Sequence, residues 1–180
     1  MILQFLGTYG HSGDLKHAPD IAQAMGDLVA AWSLADWILL VALHRILGIP
    51  QTDCAIIFYS IPTFDGRVKL IKNLLKASAR IQGPVDNLLR AIEGLRGLSG
   101  TRNSLIHGNW AIGNLTNETV IFDYLEPAGP KRKRSIKAHD ILGHVEAVNR
   151  RRTDLYQAVQ QALPEVPVPP PAPTPKRGHP

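Results

Sequence analysis

Residues 21–47, IAQAMGDLVAAWSLADWILLVALHRIL, run almost without a polar break between a Pro19-Asp20 start and a Gly48/Pro50 stop. Proline and aspartate suit the first turn of a helix, and glycine followed by proline ends one, so the stretch predicts a single long helix. A surface helix needs an apolar stripe only about 100° wide. This one is apolar over much more of its circumference, so it is expected to be covered on most sides, in a bundle or at a dimer interface. Its inner run, 28–43, is 16 residues with Asp36 near the middle. That is short of the roughly 20 apolar residues of a membrane span, so no membrane is expected.

The rest of the chain reads as shorter elements. Residues 50–62 predict a connection with extended character around AIIFYS. Thr63 caps a second helix, with Phe64, Val68, Ile71 and Leu75 on one side and Lys69, Lys72, Lys76 and Arg80 on the other. Pro84 opens a third helix, PVDNLLRAIEGLRGLSGTRNSLIHG, with Gly108 as its C-terminal cap. WAIGNLTNETVIFDYLEP alternates around an Asn-rich turn, which predicts a short β-hairpin, with Asn114 and Asn117 as turn residues. KRKR at 131–134 is a basic loop. A fourth main helix runs to about Leu163, with Ile141, Val145, Val148, Leu155, Val159 and Ala162 as its seam. The expected organisation is a loose segment at 1–18, one all-α domain at 19–163 and a proline-rich tail at 164–180.

With 180 residues, 44% of them apolar, the chain can bury one core without a second domain. A single cysteine, Cys54, provides neither disulfide framework nor thiolate zinc site. His139 and His144, five apart, have no carboxylate at metal spacing, so neither metal nor cofactor is expected. MILQFLGTYGHSG has too short an apolar run and no basic start for a secretory signal, which predicts a cytoplasmic protein. The net charge of +5 favours an acidic partner such as RNA.

TRNSLIHGNW, residues 101–110, is the candidate site, its His107 beside Gly108 also suiting a cation at a helix C-terminus. On one continuous third helix, Leu88, Leu95, Leu98, Leu105 and Ile106 fall within about 60° of Arg102. A guanidinium in an apolar stripe needs a carboxylate, a phosphate or several acceptors. Asp36 is the candidate counterion or third active-site group, with a solvent-facing residue as the plain alternative. Arg96, Asn103 and His107 line a polar edge about 100–140° from Arg102. Arg134 and His139 repeat the same spacing, but across a basic loop and a helix start. Arg152 also interrupts an apolar seam, with no motif attached.

The R-x-x-x-x-H pattern with Asn directly after the Arg resembles the HEPN family. So does the order of elements over residues 20–163: a long apolar helix, a motif late in the third helix and a closing fourth. The resemblance implies a four- to five-helix bundle, here with a hairpin between the third and fourth main helices, that dimerises and cleaves RNA without metal. Arg102 and His107 would match the family's signature and Asn103 its polar neighbour, with Asp36 in support. Lys69, Lys72, Lys76, Arg80 and Arg96 would meet the RNA backbone. A toxin opposed by an antitoxin protein is one implied setting. A non-catalytic module binding RNA, nucleotide or protein is the alternative, and a helical dimer in which Asp36 merely pairs Arg102 is the plainest reading.

Overall fold

A computed structural model describes residues 9–12, 15–113, 119–122 and 133–167. Asn114, Asn117, Lys131, Arg132 and the proline-rich stretch 168–180 lie outside the described residues. The described chain is mostly helical. Its helices are α1 (Pro19–Leu47), α2 (Gln51–Tyr59), α3 (Phe64–Ala77), α4 (Val85–Arg96), α5 (Ser99–His107) and α6 (Ala138–Ala162). Strands β1 (Tyr9–Ser12), β2 (Asn109–Gly113), β3 (Thr119–Phe122) and β4 (Lys133–Ser135) pair antiparallel in that order.

The long helix forms where its boundary residues place it. Pro19 and Asp20 occupy its first turn, and Gly48 closes it in the left-handed region, φ 68°, with its N–H donating to the His44 carbonyl at 2.8 Å. Ile21, Ala24, Leu28, Ala31, Ala35, Leu39, Ala42 and Ile46 are buried at helical spacing. Against this stripe lies α6, through Ile141, Val148, Leu155, Val159 and Ala162, and α4 packs on α6 in turn. Thr63 caps α3 by accepting the Gly66 N–H at 3.1 Å, and Val68, Ile71 and Leu75 enter the core. By length and composition α1 is apolar enough to cross a membrane, with a mean hydropathy of 1.6, yet half of that window is buried inside the fold.

Two expectations about local structure are corrected. Residues 51–59 are helical rather than extended, because Cys54 and Phe58, four apart, both reach full burial on one helical face. The third helix is not continuous. It ends at Arg96 and restarts at Ser99 across Gly97 and Leu98, so angles counted from Leu88 or Leu95 do not carry through to Arg102. In addition, β1 lies within the N-terminal segment expected to be loose, and its pairing with β2 joins a sheet where a two-stranded hairpin is expected.

The coverage of α1 is incomplete. Val29, Leu34 and Trp37 remain 47–50% exposed, and Ile56, Ile57 and Tyr59 of α2 are also exposed. Of the tryptophans, Trp32 and Trp110 are buried and Trp37 is not.

The far end of α6 is held by main-chain contacts from distant segments. Gln82 N–H donates to the Ala162 carbonyl at 3.1 Å, and the buried Arg45 donates to the Leu163 carbonyl at 3.2 Å. Arg45 also pairs with Glu165 at 3.6 Å. A Cβ on Gly83 would stand 2.0 Å from the Gln161 carbonyl oxygen, whereas one on Gly100 would meet nothing within 4 Å. Gly83→Ala is therefore expected to destabilise by about 1–3 kcal/mol as the loop is pushed off α6. Gly100→Ala in α5 is expected to stabilise by up to ~1 kcal/mol. Urea midpoints check both, and shifts of the same sign would contradict the packing described.

Candidate active site

The stretch 99–107 makes a nine-residue helix whose two ends are tied to different parts of the fold. At its start, His144 of α6 faces the Leu98 backbone, and burial holds the imidazole pKa below its ordinary value. At its end, the indole Nε1 of buried Trp110 donates to the Leu105 carbonyl at 3.0 Å. Gly108 donates to the Ser104 carbonyl, and the chain enters β2 so close that a Cβ there would lie 2.4 Å from the Ser104 oxygen and 2.5 Å from Ile121 Cγ2. Glycine is the residue that permits this turn directly after the motif. Leu105 is the helix's only fully buried residue.

Asn103 and His107 stand four apart, so both lie on one face of α5, and both are exposed. Arg102 is half-buried, and its Nη1 donates to Asn103 Oδ1 at 2.9 Å, which draws the guanidinium toward that face. Its carbon Cζ lies 5.7 Å from the centre of the Trp32 ring, which gives the cation an aromatic wall. The expectation of Arg102 in mid-stripe is corrected by the break at Gly97: the residue sits at the margin of the core.

Asp36 is not bonded to Arg102. It pairs with Arg67, whose Nη1 donates to Asp36 Oδ2 at 3.0 Å while its Nε donates to the Ile61 carbonyl at 3.0 Å. The Arg67 guanidinium also lies 4.8 Å from the Phe58 ring and 5.3 Å from the Tyr59 ring. Burial pushes the Asp36 carboxyl above its ordinary pKa, and this outweighs the opposing pull of Arg67 and Arg102. Arg67 is absent from the candidates drawn from sequence. Its signal was the one that singled out Arg102: on the helical ruler it falls about 40° from Ile71, inside the apolar stripe of its helix.

The basic residues separate into two groups. Lys69, Lys72, Lys76 and Arg96 line a groove of about 380 Å³ between α3 and α4, together with Asp65 and Glu93. Lys72 is hydrogen-bonded to Glu93, and Arg96 pairs with Asp65 at 2.9 Å and Glu93 at 3.3 Å. The Lys72 contact is the main reason the Glu93 carboxyl lies below its ordinary pKa. Arg80 does not join them. It lies beyond the end of α3, and its Nε donates to the Arg45 carbonyl at 3.1 Å beside Gly48.

The repeat of the spacing at Arg134 and His139 resolves into a strand residue and a helix residue, with His139 3.3 Å from Asp140. Among the described residues no three His, Cys, Asp or Glu side chains gather as a metal site would require. No protein-family model, curated protein or solved structure matches the chain.

Since folding raises the Asp36 pKa, the folded state holds that proton more tightly than the unfolded chain. The resulting stabilisation is complete below the unfolded value near 3.8 and is lost as pH climbs through the raised one. The stability difference between wild type and Asp36→Asn should therefore move against the wild type as pH rises across that window. Urea titrations at stepped pH check the sign, and a flat difference would mean Asp36 titrates normally.

Proposed function

We propose that this chain is a metal-independent endoribonuclease of the HEPN type, acting as a homodimer in the cytoplasm. The observation that carries the reading is the arrangement on α5: Asn103 and His107 share an exposed face, and Arg102 is drawn to it by its bond to Asn103. An arginine offers paired donors to a phosphate, and an exposed imidazole can accept or donate a proton. Both sit on a short helix tied to the fold at each end.

In this reading the ribose 2′-OH of the substrate attacks the adjacent phosphorus, and the 5′-oxygen leaves. Arg102 holds the phosphate and offsets the charge that builds on it, and Asn103 keeps the guanidinium turned to this face until the phosphate arrives. His107 takes the 2′-OH proton or returns one to the leaving oxygen. A single chain offers one such imidazole on this face, and a two-fold partner would offer the second. The uncovered apolar side chains of α1 and α2 support such a partner, since six large apolar side chains are a costly surface to leave in water. Lys69 and Lys76, the two groove lysines that are exposed, are suited to extend the contact along the RNA backbone. A toxin restrained by an antitoxin protein is a setting in which such an activity would be used.

A non-catalytic RNA- or nucleotide-binding module is the second reading. It is favoured by one observation, that Arg102 Nε is buried, so part of the guanidinium is not open to substrate.

Purified protein in chelator decides between them. Arg102→Ala and His107→Ala should each lower RNA cleavage by a factor of about 10² to 10⁴, while Arg134→Ala and His139→Ala leave it intact. Equal effects from both pairs would refute the assignment. Assembly is checked separately by light scattering at micromolar concentration. The wild type should run as a dimer, and charges placed at Trp37 and Ile56 should shift it toward monomer.

A further inference from the structure

Among the described residues, three buried side-chain polar atoms lack a hydrogen-bond partner: Asp36 Oδ1, Arg102 Nε and His144 Nε2. Buried polar atoms are almost always satisfied, so each exception asks for a reason. Two of the three belong to oppositely charged groups set near one another: Arg102 Cζ lies 5.7 Å from the ring of Trp32, which is one helical turn from Asp36 on α1. One is an acceptor and the other a donor. The carboxylate is held through its other oxygen by Arg67, itself fixed by the Ile61 carbonyl and by the rings of Phe58 and Tyr59. The guanidinium is held through Nη1 by Asn103, an exposed and replaceable partner. A planar guanidinium that grips a phosphate through its two Nη atoms leaves Nε–H over for a second acceptor.

We propose that Asp36 is the positioning residue for Arg102: when the outer edge of the guanidinium leaves Asn103 for a phosphate, its Nε–H closes onto the free Oδ1 of Asp36. Arg67 then acts as the anchor that keeps the carboxylate aimed. Both orphaned atoms become satisfied in the substrate-bound state, and the chain Arg67, Asp36, Arg102 runs from α3 through α1 to α5. This rests on Arg102 as the phosphate-holding group, and it goes beyond that reading by giving Asp36 a role in the loaded site rather than in the resting fold.

The test follows the Nε–H resonance of Arg102 in the ¹⁵N-labelled full chain, assigned by its loss in Arg102→Lys. The probe is a 2′-O-methyl oligoribonucleotide, which binds as RNA does but has no free nucleophile. In the wild type, the probe should move this resonance and slow its exchange with solvent. In Asp36→Asn the response should vanish, and in Asp36→Glu it should partly return. In parallel, Asp36→Asn should lose about a hundredfold in kcat on cleavable RNA with KM altered far less, a split that a merely less stable protein would not show. A resonance that ignores the probe in the wild type, or responds alike in Asp36→Asn, overturns the proposal even if RNA is cut. A wild type that shows the response but never cuts RNA overturns the nuclease reading and leaves the pairing standing. Should Asp36→Asn fail to fold, the wild-type titration and Asp36→Glu decide alone.

Discussion

A helix with apolar residues on most of its circumference cannot be left in water, and the architecture follows from covering α1. α6 covers the stripe from Ile21 to Ile46, and α4 adds a second layer on α6. α2 and α3 lie against a further side through Phe58 and Val68. Among the described residues, the remaining sector, with Val29, Leu34 and Trp37, stays about half exposed. These side chains are already about half covered, so hiding the rest of each would contribute on the order of 1 kcal/mol.

The same helix carries a carboxylate into half-buried surroundings, and that sets the electrostatics of the neighbouring elements. Asp36 is tolerable because Arg67 reaches it at 3.0 Å. Arg67 in turn is held by main chain and by two aromatic rings, so its charge is spread over several partners rather than spent on one. Arg102 stands at the edge of this group with Trp32 behind it. The groove between α3 and α4 is different in kind. Its cations are mostly exposed and partly neutralised by Asp65 and Glu93, so salt would screen them far more than the Asp36 pair.

Much of this organisation was legible in the sequence, for reasons that can be assigned. The boundaries of α1 were written in Pro19, Asp20 and Gly48, and the start of α3 in Thr63, because those residues satisfy or terminate helix ends by their own chemistry. α2 was not legible, since Ile56, Ile57 and Phe58 are residues that strands also favour and only the burial of Cys54 and Phe58 together makes the helical choice. The split at Gly97 was visible as a glycine but not as a break, because single glycines are tolerated inside helices. Within the site, Arg102, Asn103 and His107 could be placed relative to one another by counting along a single turn and a half. Asp36, Arg67 and Trp32 could not be placed against them, since they arrive from other helices. Arg80 shows the limit of counting: it keeps the spacing of the basic face of α3, yet the helix has already ended at Ala77.

The separation of α5 from α4 bears on how such a surface can change over time. Eight of its nine residues escape full burial, and the helix is held at its ends by Leu98, Leu105 and Gly108, two of them through main-chain carbonyls that most side chains would leave in place. Substitution at 101, 103, 104 or 107 therefore alters the chemistry displayed while asking little of the core. Fold stability and the side chains shown on this face are thus encoded largely on different segments, so the bundle can be inherited intact while the displayed face changes.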